Sequence, residues 1–312
     1  MPAQSDRSTH ESVYDARNSD IKIYVDGELV HRDEAKVSVY DSGFMLGDGV
    51  WEGLRLHRGR ISFLTEHLDR LFEAAKFLDI AIGMTKAQIA EAVKSVLDAN
   101  GMTDDAHIRL MVTRGRKKKP FQDPRLSEFG PTIVIIAEHS QPSAGVWERG
   151  IRLHTVPHHR GLPLTQDPKL NSHSKLNCII ALNHALRAGA DEALMLDPHG
   201  FVCTTNACNF FIVRGGEVWT STGDYCMNGI TRKKVIELCN ANSIRICQKN
   251  FSLVDAYGAQ EAFLTGTFGG PSPVSEIDGR VIGDGRPGPT LHRLRELYDD
   301  LVRRDAGLVS GD

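Results

Sequence analysis

The chain lacks several things that would narrow its role. No apolar run approaches the ~18 residues that a bilayer-spanning helix needs. Residues 1–19 are polar and have no hydrophobic centre of the kind a secretory signal carries. They read as a flexible N-terminal arm. There is no excess of basic charge: 37 Lys and Arg stand against 40 Asp and Glu, a net charge of −3. This argues against a nucleic-acid partner. The six cysteines (Cys178, Cys203, Cys208, Cys226, Cys239 and Cys247) include no Cys-x-x-Cys pair. Zinc ribbons and disulfide frameworks are thereby disfavoured, and free thiols in a reducing cytoplasm are expected. No internal repeat is present, and no spacing suits a metal. The one basic cluster, Arg114-Gly115-Arg116-Lys117-Lys118-Lys119, is short and reads as a solvated loop or a local anion-attracting patch.

What is present is a globular composition, 41% hydrophobic and 25% charged over 312 residues, with room for two domains. Alternation predicts a hairpin over residues 21–30 that turns at Asp26-Gly27. A third strand is expected over Lys36 to Tyr40, and two more flank His57-Arg58-Gly59-Arg60. Leu68, Leu71, Phe72, Ala75 and Leu78 recur at helical spacing, and Thr85-x-x-Gln88 marks the start of a second helix. Strands over His107–Thr113 and Thr132–Ala137 complete a small domain, residues 20–138. Residues 139–149 carry Pro, Ser and Gly and read as a linker. From residue 150 to 312 the pattern restarts: strands, a helix over residues 175–188, more strands, and a last helix through Leu291, Leu294, Tyr298 and Leu301. Strands grouped apart from helices in two halves favour an α+β fold over a doubly wound sheet.

Asn228-Gly229-Ile230-Thr231-Arg232 opens a helix whose apolar stripe follows in Val235, Ile236, Leu238 and Cys239. A helix start offers unpaired N–H groups and the positive end of the helix dipole, and Thr231 adds a hydroxyl. That combination suits a phosphate. Thr265-Gly266-Thr267-Phe268-Gly269-Gly270 is a second candidate, where Gly266 and its neighbours let backbone approach an anion.

Five blocks, in order, then carry a family likeness. They are Asp41-Ser42-Gly43-Phe44-Met45-Leu46-Gly47-Asp48-Gly49-Val50-Trp51-Glu52; Glu66-His67-Leu68-Asp69-Arg70-Leu71; Gly189-Ala190-Asp191-Glu192-Ala193-Leu194 with Asn209-Phe210-Phe211; Gly229-Ile230-Thr231-Arg232; and Gly266-Thr267 with Pro273-Val274. Over about residues 21–283 the chain resembles the class IV aminotransferases, pyridoxal-phosphate enzymes of fold type IV. That group includes branched-chain and D-amino-acid aminotransferases, amine transaminases and aminodeoxychorismate lyases. The resemblance implies a two-domain α+β fold, a homodimer, and pyridoxal 5'-phosphate as cofactor. It also implies a cofactor site from Arg70, Asn209, Gly229, Ile230, Thr231, Gly266 and Thr267, with Arg70, Ile230, Thr231 and Thr267 on the phosphate.

The residues that drive the family's chemistry do not match. Its Schiff-base lysine falls at Asn171, which has no nucleophilic amine. Its glutamate at the pyridine nitrogen falls at Thr204, which can hydrogen-bond that nitrogen but cannot hold it protonated. Lys175 lies one helical turn beyond Asn171, and Lys169 two residues before it; either could supply the amine, Lys169 only after a two-residue slip. His173, or a water on Asn171, could otherwise shuttle protons on a lysine-independent site. On the substrate side the likeness points to Trp51, to Arg114 in Val-Thr-Arg-Gly, and to Arg109, where the branched-chain run Tyr-Ile-Arg-Pro reads His107-Ile108-Arg109-Leu110. An anionic amino or keto acid is the expected substrate. Three functions stay open: amino-group transfer between an amino acid and a 2-oxo acid; lyase, epimerase or pyridoxamine-type chemistry on the same fold; and a non-catalytic protein that binds a phosphorylated ligand.

Overall fold

A computed structural model describes residues 8–10, 12 and 14–307. The chain divides into two compact units. One holds Tyr14–Gln141, Leu170–Lys175 and the chain from Val302; the other holds Pro142–Lys169 and Leu176–Leu301 with the described residues ahead of Tyr14.

The first unit is an antiparallel sheet of six strands covered by two helices. Its elements are β1 (Lys22–Val25), β2 (Glu28–His31), α1 (Ser42–Leu46), β3 (Gly49–His57), β4 (Arg60–Ile61), α2 (Leu64–Phe77), α3 (Lys86–Ala99), β5 (Ala106–Thr113) and β6 (Thr132–His139), in the sheet order β2-β1-β6-β5-β3-β4. The hairpin β1–β2 turns at Asp26 and Gly27, both with positive φ, the geometry that a two-residue loop between twisted strands demands. Period-2 alternation sends Val50, Leu54, Leu56, Ile108, Leu110, Val112, Ile133 and Ile135 to one face, where they meet Leu68, Leu71 and Ala75 of α2 and Ile89, Val93 and Val96 of α3. Trp51, Gly53, His107, Arg109 and Met111 fall on the other face by the same alternation. Thr85 and Gln88 close a full capping box on α3.

The second unit contains α4 (Ala144–Arg149), β7 (Ile151–Thr155), α5 (Leu176–Arg187), β8 (Glu192–Leu196), β9 (Val202–Thr205), β10 (Asn209–Arg214), β11 (Glu217–Thr220), α6 (Ile230–Ala241), β12 (Ile246–Gln248), α7 (Leu253–Tyr257), β13 (Glu261–Gly266), β14 (Gly270–Ile277), β15 (Arg280–Val281) and α8 (Pro289–Asp305). Its sheet runs β12-β11-β10-β13-β14-β7-β8-β9, and β9 pairs back onto β10. Strands β10, β13, β14, β7, β8 and β9 therefore form a closed ring, which leaves those strands no open edge. The closing pair is Thr204 with Asn209. Phe210, Ile212, Leu264, Val274, Ile151 and Leu153 fill one side of this sheet, and Phe211 stacks on Phe263 beneath α6 and α8 on the other.

Three expectations change. Lys36 to Tyr40 forms no strand: Val37 and Val39 are 45% and 68% exposed, so the apolar alternation meets no partner face. The expected linker contains α4, capped by Ser143. Of the expected arm, residues 1–7, 11 and 13 lie outside the described residues. Thr9 is buried and bonded to Glu192, and residues 16–20 form a short 3-10 helix, so the rest is not a free arm. Replacing Thr85 with Ala removes the α3 cap and is expected to lower the unfolding free energy by about 1 kcal/mol, read in urea unfolding at unchanged m-value.

Candidate active site

Residues 171–173 run beside β3, joined to it by an isolated bridge. Ser172 bridges Val50. The Trp51 amide donates to the Asn171 carbonyl at 3.1 Å, and the His173 amide to that of Gly49 at 2.8 Å. Side chains lock the same strip: Asn171 Nδ2 donates to the Trp51 carbonyl at 2.6 Å, the Trp51 indole N–H to the Ser172 carbonyl at 3.1 Å, and His173 Nε2–H to the Val50 carbonyl at 3.1 Å. The register is thus fixed by backbone and side chains together. A two-residue slip towards Lys169 would break all of these bonds, and Lys169 is exposed. Asn171 is 3% exposed, and its Oδ1 is buried with no hydrogen-bond partner among the described residues.

Lys175 ends this strip with its ammonium 5.6 Å from the centre of the Trp51 ring. Arg109, cross-strand from Gly53, lays its guanidinium 3.9 Å from the centre of the same ring. Gly53 permits the crowding, since a Cβ there would stand 3.3 Å from the His107 ring. Trp51 is therefore no core tryptophan. It forms a face shared by two cations, each held by the ring's quadrupole. Burial pushes the His173 imidazole below its ordinary pKa; the Val50 carbonyl opposes this, while Arg109 and Lys175 add to it. The ring is neutral near neutral pH, with Nε2 as the donor.

Arg114 belongs to the scaffold instead of the substrate side. It grips Asp48 through Nε at 2.7 Å and Nη2 at 3.0 Å, and donates to the carbonyls of Leu78 and Asp79. The adjoining basic run is also less solvated than expected: Lys117 is 2% exposed and donates to the Asp123 carbonyl, and Arg116 stacks on Phe129. Arg70 meets Glu52, the acidic residue on the core face of β3, through Nε and Nη2 at 2.7 Å each. His67 donates to the same carboxylate at 2.7 Å. Burial alone would raise the Glu52 carboxyl; hydrogen bonds from Arg70 and then His67 outweigh it and hold the group below its ordinary range.

In the second unit, α6 starts at Gly229 with no side-chain cap, so its first amides lack intrahelical acceptors. Asn209 organises this start. Its Nδ2 donates to the Met227 carbonyl at 2.9 Å, and its Oδ1 lies where a Cβ on Gly229 would come within 2.4 Å. A side chain at 229 would therefore force Asn209 to shift. Thr231 is buried with its hydroxyl 3.5 Å from that of Tyr298, and Thr267 sits half-buried in the turn between β13 and β14. A Cβ on Gly266 would stand 2.9 Å from Cys208 Sγ. Arg232 is structural: it donates to the Ser221 carbonyl at 2.7 Å and to Gln248 Oε1 at 2.9 Å. Thr204 spends its hydroxyl proton on the Cys208 carbonyl at 2.8 Å, so towards a ligand it is an uncharged acceptor. Asn209's supporting role was not legible in the sequence, because its partners arrive from the loop before α6.

The class IV amino-transferase family model matches residues 49–277. The chain is 42% identical over 287 residues to branched-chain-amino-acid aminotransferase-like protein 2 of Arabidopsis thaliana, covering 91% of this chain and 51% of that protein. It thus spans about half the length of that relative. It is 41% identical to a putative branched-chain-amino-acid aminotransferase of Methanocaldococcus jannaschii, covering 90% of this chain and 96% of the other. The D-alanine aminotransferase of Listeria monocytogenes is 30% identical, with 92% and 98% covered. Among solved structures, the branched-chain aminotransferase of the thermophilic archaeon Thermoproteus uzoniensis, with norvaline, superposes with a TM-score of 0.82 at 30% identity, over 93% of this chain and 96% of that one. The chain belongs to the class IV aminotransferase family, and its fold is fold type IV.

The residues fit that family's cofactor unevenly. A helix start with no side-chain cap, beside a buried threonine, suits a phosphate. Asn171 offers an orphaned acceptor and no amine, so it cannot carry a covalent link to a carbonyl. Two outcomes are expected. Replacing Arg70 with Ala strands Glu52 in the core and lowers stability by about 3–5 kcal/mol, read by chemical unfolding. His173 has a depressed folded pKa, so its stabilising contribution is complete above its unfolded value and is lost as pH falls through the folded one. Between about pH 7 and 5, the His173→Gln protein should therefore lose less stability than the parent.

Proposed function

We propose that the chain transfers an amino group between an amino acid and a 2-oxo acid with pyridoxal 5'-phosphate, and that Lys175 provides the amine that position 171 lacks. The observation that carries this reading is the locked strip, which fixes Asn171 in place and brings Lys175 to the Trp51 face beside Arg109. When bound, the cofactor supplies an electron sink for the bonds at the amino-bearing carbon. Its phosphate is taken by the amides of Ile230 and Thr231 with the hydroxyls of Thr231 and Thr267, and Gly229, Gly266 and Asn209 keep that cradle open. The family resemblance alone assigns Arg70 to the same phosphate. Thr204, whose hydroxyl proton goes to the Cys208 carbonyl, would offer the ring nitrogen only an uncharged acceptor, so the sink would be weaker than one backed by a carboxylate.

Arg109 would bind the substrate carboxylate, Trp51 would supply an apolar wall, and Lys175 would supply the amine and move the proton. Asn171 Oδ1 accepts a hydrogen bond from the amino group being transferred. The substrate class is an amino or keto acid, which the names of the relatives favour. Exposed Leu176, Ile179 and Leu186 on α5 support a homodimer, and six free thiols support a cytoplasmic setting.

Incubation of the full chain with pyridoxal phosphate, then borohydride and digestion, is expected to place the label on the peptide containing Lys175. Lys175→Ala should abolish labelling and amino transfer while phosphate binding persists. A label on Lys169, or undiminished transfer by Lys175→Ala, would sink this assignment.

A further inference from the structure

The side-chain carboxyl of Glu192, on β8, is 1% exposed, and among the described residues no lysine, arginine or histidine pairs with it. Its donors are neutral. Thr9 meets one oxygen twice: its amide donates to Oε1 at 2.9 Å, and its hydroxyl donates to the same atom. Thr205 Oγ1, on β9, lies 3.2 Å from Oε2. Burying a carboxyl is costly unless hydrogen bonds replace its water. Here both bonds to Oε1 come from a single residue near the N-terminus. Without Thr9, that oxygen would be left buried with no partner, the expensive outcome for a polar atom. Glu192 therefore holds residues 8–10 against the second unit.

The same segment reaches the turn between β13 and β14. Gly266 pairs with Gly270, so the turn they enclose is Thr267, Phe268 and Gly269. On the entry side, the Cys208 thiol donates to Thr9 Oγ1 at 3.4 Å. Burial, with Glu192 nearby, raises that thiol well above its ordinary pKa and keeps it a donor. Cys208 Sγ in turn fills the space beside Gly266, where a Cβ would stand 2.9 Å from it. On the exit side, the Thr9 carbonyl lies 3.7 Å from where a Cβ on Gly269 would stand. The His10 ring stacks on Phe268, with centroids 6.4 Å apart and planes 12° from parallel. Residues 9 and 10 thus touch Phe268 and Gly269 directly, and Gly266 through Cys208. Thr267 lies between these points.

We propose that Thr9 is a positioning residue: docked on Glu192, it latches residues 8–10 over the turn that carries Thr267, and so sets how tightly the chain holds a phosphate there. Thr9 touches no ligand in this role. It acts through the turn. A glycine-rich turn left free must be ordered when a ligand binds, and that ordering subtracts from affinity. With Phe268 and Gly269 already held, the Thr267 hydroxyl is placed before the ligand arrives. The effect on phosphate rests on the reading of Thr267 given above; the latch itself does not.

The test compares the full chain with Thr9→Val, Thr9→Ser and His10→Ala. The first removes the hydroxyl that meets Glu192 and Cys208, the second keeps it, and the third removes the stacking on Phe268 while leaving Glu192 satisfied. Hydrogen-exchange mass spectrometry reads the turn, and calorimetry with inorganic phosphate reads the site. In Thr9→Val and His10→Ala the amides of residues 266–270 should exchange several-fold faster, and phosphate should bind several-fold more weakly. Thr9→Ser should match the parent in both measurements. Should Thr9→Val not fold, His10→Ala carries the same comparison. Unchanged exchange in the turn would overturn the latch. Faster exchange with undiminished phosphate affinity would overturn the positioning role and leave Thr9 a structural residue. A Thr9→Ser protein that behaves like Thr9→Val would overturn the part given to the hydroxyl. Absence of phosphate binding to the parent, with the turn loosened in the variants, would support the latch and count against the phosphate reading alone.

Discussion

Everything proposed about chemistry depends on the strip 171–173 being bonded to β3. Main-chain bonds join it to Gly49 and Trp51, and the Asn171, His173 and Trp51 side chains bond across the same seam. A strand that slips by one residue turns every side chain to the opposite face. Here slippage is opposed by both sets of bonds, so Asn171 is held at one place along β3. What stands there is an amide. Its Nδ2 is part of the seam, and its Oδ1 is left as a buried acceptor. Leaving such an atom unpaired costs about 1–3 kcal/mol, which is the signature of a position that serves a ligand more than the fold.

The two units are organised by different means. In the first, a buried carboxylate, Glu52, is satisfied by Arg70 and His67 from α2, so the helix that carries Arg70 is anchored by charge as well as by its apolar stripe. In the second, a closed ring of strands puts Thr204 and Asn209 opposite one another, and Asn209 then holds the loop before α6. Phosphate-end residues rest on close side-chain packing around Gly229 and Gly266. Reaction-end residues rest on side-chain identity.

Much of the fold was legible because it follows from periodicity. The helices at Leu68–Leu78 and after Thr85, the hairpin at Asp26-Gly27 and the strands of both units are written in local pattern. The failures have tertiary causes. Val37 and Val39 alternate as a strand would, yet no sheet edge meets them. Pro142 and Ser143 look like a linker, yet Ser143 caps a helix. Arg114 looked available to a substrate because its partners, Asp48 and the carbonyls at the end of α2, are distant in sequence. At the site, the sequence supplies the proposed phosphate motif and the proposed reading of Asn171 at the lysine position. The assignment of Lys175 over Lys169 needed the register of the strip.

The central claim is that position 171 is the family's amine position, now occupied by an amide. The most direct measurement restores the amine there. The Asn171→Lys protein is incubated with pyridoxal phosphate, treated with borohydride and mapped by mass spectrometry. The account predicts that the label moves from Lys175 to residue 171. Labelling that stays on Lys175, or appears nowhere, would contradict it.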